Sequence, residues 1–329
     1  MSGKQVAKQV PVTILTGFLG SGKTTLLNRI LKEDHGHRIA VIENEFGEEG
    51  VDNDLLLQER GEQIVEMNNG CICCTVRGDL IRILGDLADR REAGEIAFDR
   101  VIIETTGMAD PGPVAQTFFV DDEIADEYLL DAVITVVDAL HGEKQLDEHP
   151  EAQEQAGFAD RILMSKVDVA DQATQDRLRA RLMRINPRAP IKPVNFGDVP
   201  IAEILDIRGF NLNEVLEIDP EFLTSDEHEH NDSIQSFVFR SKKPFDPNKL
   251  EDFLSGVVQV YGPDLLRYKG VLFMDGSNRQ TVFQGVHMMM GADAGRRWQP
   301  GEKPSSKMVF IGRNLPRDMI VKGLEQCLA

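Results

Sequence analysis

The chain has 329 residues, 41% of them hydrophobic and 28% charged, enough for two ordinary domains and a large core. Its 36 Lys and Arg stand against 55 Asp and Glu, a formal charge of −19. Nucleic acid and anionic membranes both repel such a surface, so neither is an expected partner, whereas a nucleotide needs only a local positive pocket.

Met1–Gln9 is polar and lacks an apolar signal core, and no window reaches the length of a membrane span, so the expected location is the cytoplasm. There are four cysteines: Cys71, Cys73, Cys74 and Cys327. Cys73 and Cys74 are neighbours, closer than an unstrained disulfide prefers, which fits a reduced compartment.

The first two thirds alternate strand-like and helix-like runs, which predicts an α/β fold with a mostly parallel sheet and helices on both faces. Val10–Leu15 reads as the first strand and Thr25–Leu31 as a helix. Between them Gly17, Gly22, Lys23 and Thr24 satisfy G-x-x-x-x-G-K-[ST], the phosphate-binding P-loop. Its glycines let backbone N–H groups turn toward phosphate oxygens. Lys23 reaches the β/γ-phosphates, the Thr24 hydroxyl ligates Mg²⁺, and the helix offers its positive end. Gly20, Ser21 and Thr25 belong to the same cradle.

Further strands are predicted at Ile39–Ile42, Ile64–Met67, Val101–Ile103, Ala132–Val137, Ile162–Met164 and Ile191–Val194. Leu80, Ile83, Leu84 and Leu87 make one helical face, and Leu178, Leu182 and Ile185 another. In a parallel sheet the carboxyl ends of the strands share one edge, where ligands bind. That edge collects the P-loop, Glu43–Glu48 after the second strand, Asn68–Cys74 after the third, Glu104–Gly107 after the fourth and Ser165–Asp168 after the sixth.

Glu104 suits a partner of the Mg²⁺ shell or the aligner of a hydrolytic water, and Gly107 lets the backbone approach the γ-phosphate. Asp168 can accept the two N–H donors of a guanine edge, which adenine lacks, while Lys166 lays its stem along the base. The expected nucleotide is GTP. Ser165 stands where GTPases usually carry Asn, so weaker base selectivity stays open.

Cys71, Cys73 and Cys74 surround a Gly70 turn and suit a borderline cation such as Zn²⁺. A helix expected near Thr75–Asp79 would favour their thiolates. Three local ligands do not complete a structural site, so a transfer site is the reading, with Glu43, Glu45 and Glu48 as further candidate donors. A redox-reactive thiol cluster and buried small residues remain alternatives. His35 and His37 read as surface residues.

Residues 1–224 are therefore read as the nucleotide domain, 225–232 as a linker and 233–329 as a smaller α+β domain. His228 and His230 in the acidic linker find no nearby Cys or His to complete a metal site, so the linker reads as solvated. Beyond it, strands are predicted at Ile234–Arg240, Leu265–Met274, Gln280–Met288 and Lys307–Ile311. A helix carries Leu250, Phe253, Leu254, Val257 and Val258, and Arg317–Leu328 is the last helix, with Cys327 as a core residue. Asp275–Asn278 is a hairpin turn.

Taken in order, Thr16–Thr25, Ile42–Glu48, Gly70–Cys74, Glu104–Gly107 and Ser165–Asp168 make a chain that resembles the CobW-like metal-binding P-loop GTPases, nearest their YjiA-type branch. Arg267–Gly270 and Phe283–Val286 extend the likeness over nearly the whole chain. The resemblance implies a metallochaperone or insertase. It would hydrolyse GTP to GDP slowly and couple that to binding and release of a transition metal, zinc first and cobalt or nickel as alternatives. The family's cysteine motif maps onto Cys71, Cys73 and Cys74, and its acidic ligands onto Glu43 and Glu48. Lys23 and Glu104 take the catalytic roles, an unidentified client metalloprotein receives the metal, and nucleotide-dependent dimers occur among related maturation GTPases. A metal buffer or sensor, or a redox-regulated GTPase without a client, is the competing reading.

Overall fold

The apolar runs of the first two thirds pair into one sheet. A computed structural model describes residues 9–43, 63–66, 75–209 and 232–329. Within them the first unit runs β1 (Val10–Thr16), α1 (Lys23–Lys32), β2 (Ile39–Glu43), β3 (Gln63–Glu66), α2 (Thr75–Glu92), β4 (Arg100–Glu104), α3 (Gly112–Val120), α4 (Asp122–Glu127), β5 (Tyr128–Asp138), α5 (Gly142–Glu148), α6 (Pro150–Phe158), β6 (Arg161–Ser165), α7 (Gln172–Ile185) and β7 (Ile191–Pro193). The strand order is β3-β2-β4-β1-β5-β6-β7, and every pairing is parallel.

Successive residues of each strand face opposite layers, and both layers are apolar. Val12, Ile14, Ile42, Val101 and Ile103 pack with residues of α2, α3, α6 and α7. Leu15, Val41, Ile102, Ile134 and Val136 pack with α1 and with Ile204 and Leu205 beyond β7. Burial on both faces is why these strands read as unbroken Val and Ile runs.

The second unit runs β8 (Ile234–Ser241), α8 (Pro247–Tyr261), β9 (Leu265–Phe273), β10 (Arg279–Val286), β11 (Met289–Arg297), β12 (Ser306–Arg313) and α9 (Arg317–Gln326). Its order is β11-β10-β9-β12-β8, antiparallel throughout. Strand β12 shows how it is held. Met308 and Phe310 join a core with Leu250, Leu254, Ile320 and Leu324 of α8 and α9, whereas Val309 and Ile311 join the core of the first unit. Cys327 is buried beside Leu324.

One expected strand ends early. Gln280–Met288 stops at Val286, where His287 takes a left-handed φ of 50° and the chain returns as β11. The new strand, Met-Met-Gly-Ala-Asp-Ala-Gly-Arg-Arg, is mostly exposed and shows no alternation, so no periodicity announces it.

Helix α6 lies at the junction of the units and is buried from Ala152 to Phe158 although it carries Gln153, Glu154 and Gln155. Each polar group is satisfied. Gln153 donates to the Leu146 carbonyl (2.7 Å) and accepts from Ser233 Oγ (3.0 Å), and Glu154 pairs with Arg313. Just beyond, Asp160 accepts from Arg267 Nη2 (2.9 Å) of the second unit and from the Val133 N–H (2.9 Å) of the first. Arg188 Nη2 stands 3.7 Å away. Burial and the neighbouring Arg267 lower the Arg188 guanidinium to about 10. Ser225–Asn231 of the expected linker lie outside the described residues, and Asp232 is held by Arg181 at 2.6 Å. Among the described residues no helix is long and apolar enough to cross a membrane.

Candidate functional site

The P-loop spans the end of β1 and the start of α1, at the middle of the sheet edge. Gly17, Gly20 and Gly22 all take left-handed φ values, 144°, 70° and 103°. A Cβ on Gly17 would sit 2.3 Å from the Val136 carbonyl, so only glycine lets the loop cross β5 there. Ser21 Oγ is buried without a hydrogen-bond partner among the described residues. Lys23 is buried, and its Nζ donates to the Phe18 carbonyl of the same loop (3.4 Å).

Thr24 Oγ1 donates to Glu104 Oε1 at 3.2 Å. A hydroxyl and a carboxylate side by side at a P-loop are oxygen donors of the kind a hard cation such as Mg²⁺ takes. Glu104 ends β4 between two other strands. It registers with Leu15 of β1 on one side and with Glu43 of β2 on the other, and Glu43 registers with Glu66 of β3. Glu43 is only 5% exposed. Glu45, Glu48, Cys71, Cys73 and Cys74 lie outside the described residues, as does the rest of both loops; α2 begins at Thr75, directly after the cysteines. Among the described residues no three His, Cys, Asp or Glu side chains gather to hold a metal. His35 and His37 are half-buried and stack on each other before β2.

After β4 the chain is tied to the P-loop. The Thr105 N–H donates to the Leu15 carbonyl (2.9 Å) and Thr105 Oγ1 to Thr16 Oγ1 (2.8 Å). Gly107 lies so close that a Cβ there would meet Leu19 N at 2.7 Å. Gln155 of α6 donates to the carbonyls of Gly107 (3.1 Å) and Ala109 (3.0 Å), holding this loop from below.

Lys166, Asp168 and Ser165 follow β6. Ser165 Oγ donates to the Ser21 carbonyl of the P-loop at 2.6 Å, so its hydroxyl braces that loop. Lys166 has a left-handed φ of 56°, and its Nζ donates to Asp138 Oδ2 (2.7 Å) at the end of β5. Asp138 also takes His141 Nδ1 (3.0 Å) and the N–H groups of Leu140 (2.8 Å) and His141 (3.1 Å). Burial raises its carboxyl, but these hydrogen bonds outweigh burial and hold it below the usual carboxylate range. Asp168 lines a cavity of about 250 Å³ with Gly22, Thr25, Lys166, Val194 and Phe196.

Sequence reasoning passed over the ends of the fifth and seventh strands. Both reach the same edge, with Asp138 as the last residue of β5 and Asn195–Asp198 after β7. The signal was available: Val136-Val137-Asp138 repeats the apolar-run-then-acid pattern of Ile102-Ile103-Glu104. Gln155 carried no such signal, since it sits inside a helix.

The description of the CobW/HypB/UreG nucleotide-binding domain matches residues 11–193, and that of the cobalamin synthesis protein cobW C-terminal domain matches residues 234–328. The chain is 46% identical over 312 residues to the zinc chaperone YjiA of Escherichia coli, covering 94% of this chain and 96% of that protein. It is 34% identical to the zinc chaperone CobW of Pseudomonas aeruginosa, covering 99% of this chain and 93% of that one. The crystal structure of Zn(II)-bound YjiA GTPase from E. coli superposes with a TM-score of 0.83 at 40% identity, over 98% of this chain and all of that one. The chain belongs to the CobW/HypB/UreG family of nucleotide-binding proteins, with the C-terminal domain of the CobW members.

Proposed function

We propose that this protein binds Mg²⁺ and GTP, hydrolyses the nucleotide slowly, and uses its state to hold and release a transition metal, zinc ahead of cobalt or nickel, for a client metalloprotein. The observation that carries the reading is the row at the sheet edge. Thr24 touches Glu104, and Glu43 stands in register on the next strand, about 4.8 Å over. A magnesium-side acid and a candidate ligand for the cargo metal thus end adjacent strands. Relatives support the reading: YjiA and CobW are zinc chaperones by name, and YjiA has been crystallised with zinc.

In this mechanism the N–H groups of Gly20–Thr25 and the Lys23 ammonium bind the β- and γ-phosphates. Thr24 and Glu104 would hold magnesium, which when bound neutralises charge on the transferring phosphoryl group. Glu104 is also the acid placed to align the attacking water. Asp168 reads the guanine edge, with Lys166 braced along it by Asp138. Gly107, packed on Leu19, senses the γ-phosphate. Its loop leads back to Glu104 and so to Glu43, and Glu43, Glu48, Cys71, Cys73 and Cys74 hold the cargo. Loss of the γ-phosphate relaxes that set and frees the metal.

The test is a buffered zinc titration of apo protein, GDP-bound protein and protein with a non-hydrolysable GTP analogue. Zinc is expected to bind tightest with the analogue, and zinc must then tighten the analogue by the same factor. Equal zinc affinity in the GDP and analogue states would overturn the coupling. Unchanged zinc affinity in Cys73→Ser would remove the thiol assignment.

A further inference from the structure

We infer that Phe196 is the stacking platform for the purine ring of the nucleotide, a contact that sets affinity without choosing the base. This rests on the nucleotide reading above and deepens it.

Phe196 is the most exposed of the large apolar side chains among the described residues, at 79%. Its ring has no aromatic or cationic partner there. It is also held in a left-handed conformation, φ 47°, which a bulky residue rarely takes. Both features oppose folding. Strain of this kind persists where surrounding structure over-determines it, and it concentrates at ligand clamps.

The surroundings do fix it. Gly197 follows with φ 73°, and a Cβ there would lie 3.1 Å from Leu26 Cα, so the turn is pressed onto the P-loop helix. The Asp198 N–H closes the turn on the Asn195 carbonyl (2.7 Å), and Arg29 of α1 grips Asp198 Oδ1 (2.8 Å). The turn is therefore anchored to the same helix whose N-terminus faces the phosphates. It places the Phe196 side chain in the lining of the cavity of about 250 Å³ that Asp168 and Lys166 also line.

A second coincidence points the same way. Lys166, which also lines that cavity, is likewise a non-glycine residue with positive φ. Its ammonium is tied back to Asp138, which leaves its stem beside the cavity. A planar, weakly hydrated ring between a lysine stem and a phenyl face is the ligand such walls fit. Every base has a π-face, so stacking is indifferent to base identity. Selectivity stays with Asp168, and Phe196 adds binding strength alone.

Calorimetric binding of GDP and of ADP, with Mg²⁺, to full-length wild type, Phe196→Ala, Phe196→Leu and Phe196→Trp tests this. Ala and Leu should each weaken GDP by roughly tenfold, ADP by the same factor, and Trp should stay within about twofold of wild type. In Phe196→Trp the new indole should be quenched on GDP binding, against the steady signal of the single native Trp298. Steady-state hydrolysis should show the loss in KM and leave kcat unchanged. Ala binding GDP as tightly as wild type would overturn the inference. So would Leu matching wild type, which would reduce the contact to apolar cover. Wild-type protein that binds no guanine nucleotide would take down the function proposed above as well, so the two failures differ.

Discussion

The two sheets of this molecule use their strand ends differently. The first is parallel, so seven strands deliver their carboxyl ends to one edge, and the P-loop, Glu43, Glu104, Asp138 and Ser165–Asp168 meet there. The second is antiparallel, so successive strands end at opposite edges and no edge collects loops. Its chemistry-bearing groups are spent on attachment: Arg267 reaches Asp160, Arg313 reaches Glu154, and His287 packs on Phe158 at 5.2 Å. Topology alone thus separates a working edge from a sheet that buttresses it through α6.

The largest effect should come from cutting the buttress. Asp160→Ala strips the carboxylate from buried Arg267 and Arg188 and the acceptor from Val133, a loss of about 3–5 kcal/mol. Chemical denaturation should show one transition at lower midpoint, both sheets melting together. Two separate transitions, or a loss below about 1 kcal/mol, would mean the sheets hold themselves. Next comes the working edge. Lys23→Ala should cut GTP affinity by more than about 100-fold, through lost charge-assisted contacts to phosphate, with the unfolding midpoint nearly unchanged. A large drop in stability instead would show that Lys23 serves the fold.

Ser165→Ala sharpens the division within the edge. The hydroxyl binds the Ser21 carbonyl at 2.6 Å and reaches the Val137 carbonyl at 3.3 Å, both backbone groups. Its loss should weaken GDP about fivefold, near 1 kcal/mol, and leave the GDP-to-ADP preference unchanged. A changed preference would place Ser165 at the base itself.

Those loops were legible in the sequence because apolar runs covered on both faces stand out, and because one rule about parallel sheets gathers their ends. The P-loop was the clearest, since Gly17, Gly20 and Gly22 each answer a backbone need. Three things were not legible. Helix α6 is buried yet polar, its Gln and Glu satisfied by distant carbonyls and an arginine, so it shows no apolar stripe. Strand β11 is a mostly exposed edge strand without alternation. Phe196 carries no sequence signal of its own, and only its φ and exposure mark it out. Distant elements hold α6 and the Phe196 turn, and hairpin pairing with β10 holds β11, so local periodicity carries no trace of any of them.

The smallest expected effect is also the most diagnostic of how the proposed base pocket is held. Asp138 is buried and accepts from Lys166, His141 and two backbone N–H groups, and these bonds outweigh burial to keep its carboxyl below the usual range. A carboxylate with a depressed folded pKa stabilises the fold fully above its unfolded value, about 3.9, and that contribution fades as pH falls through the lower folded value. Asp138→Asn keeps the shape and removes the charge. The midpoint gap between wild type and variant should therefore be constant from about pH 5 to 8, at roughly 1 kcal/mol because Lys166 is part-exposed, and should close below about pH 4. Above pH 5 the variant should also bind GDP a few-fold more weakly, since the Lys166 stem loses its tether. A gap that widens toward acid would reverse the sign and show that Asp138 is protonated in the folded protein; a constant gap at all pH values would make it a purely geometric acceptor.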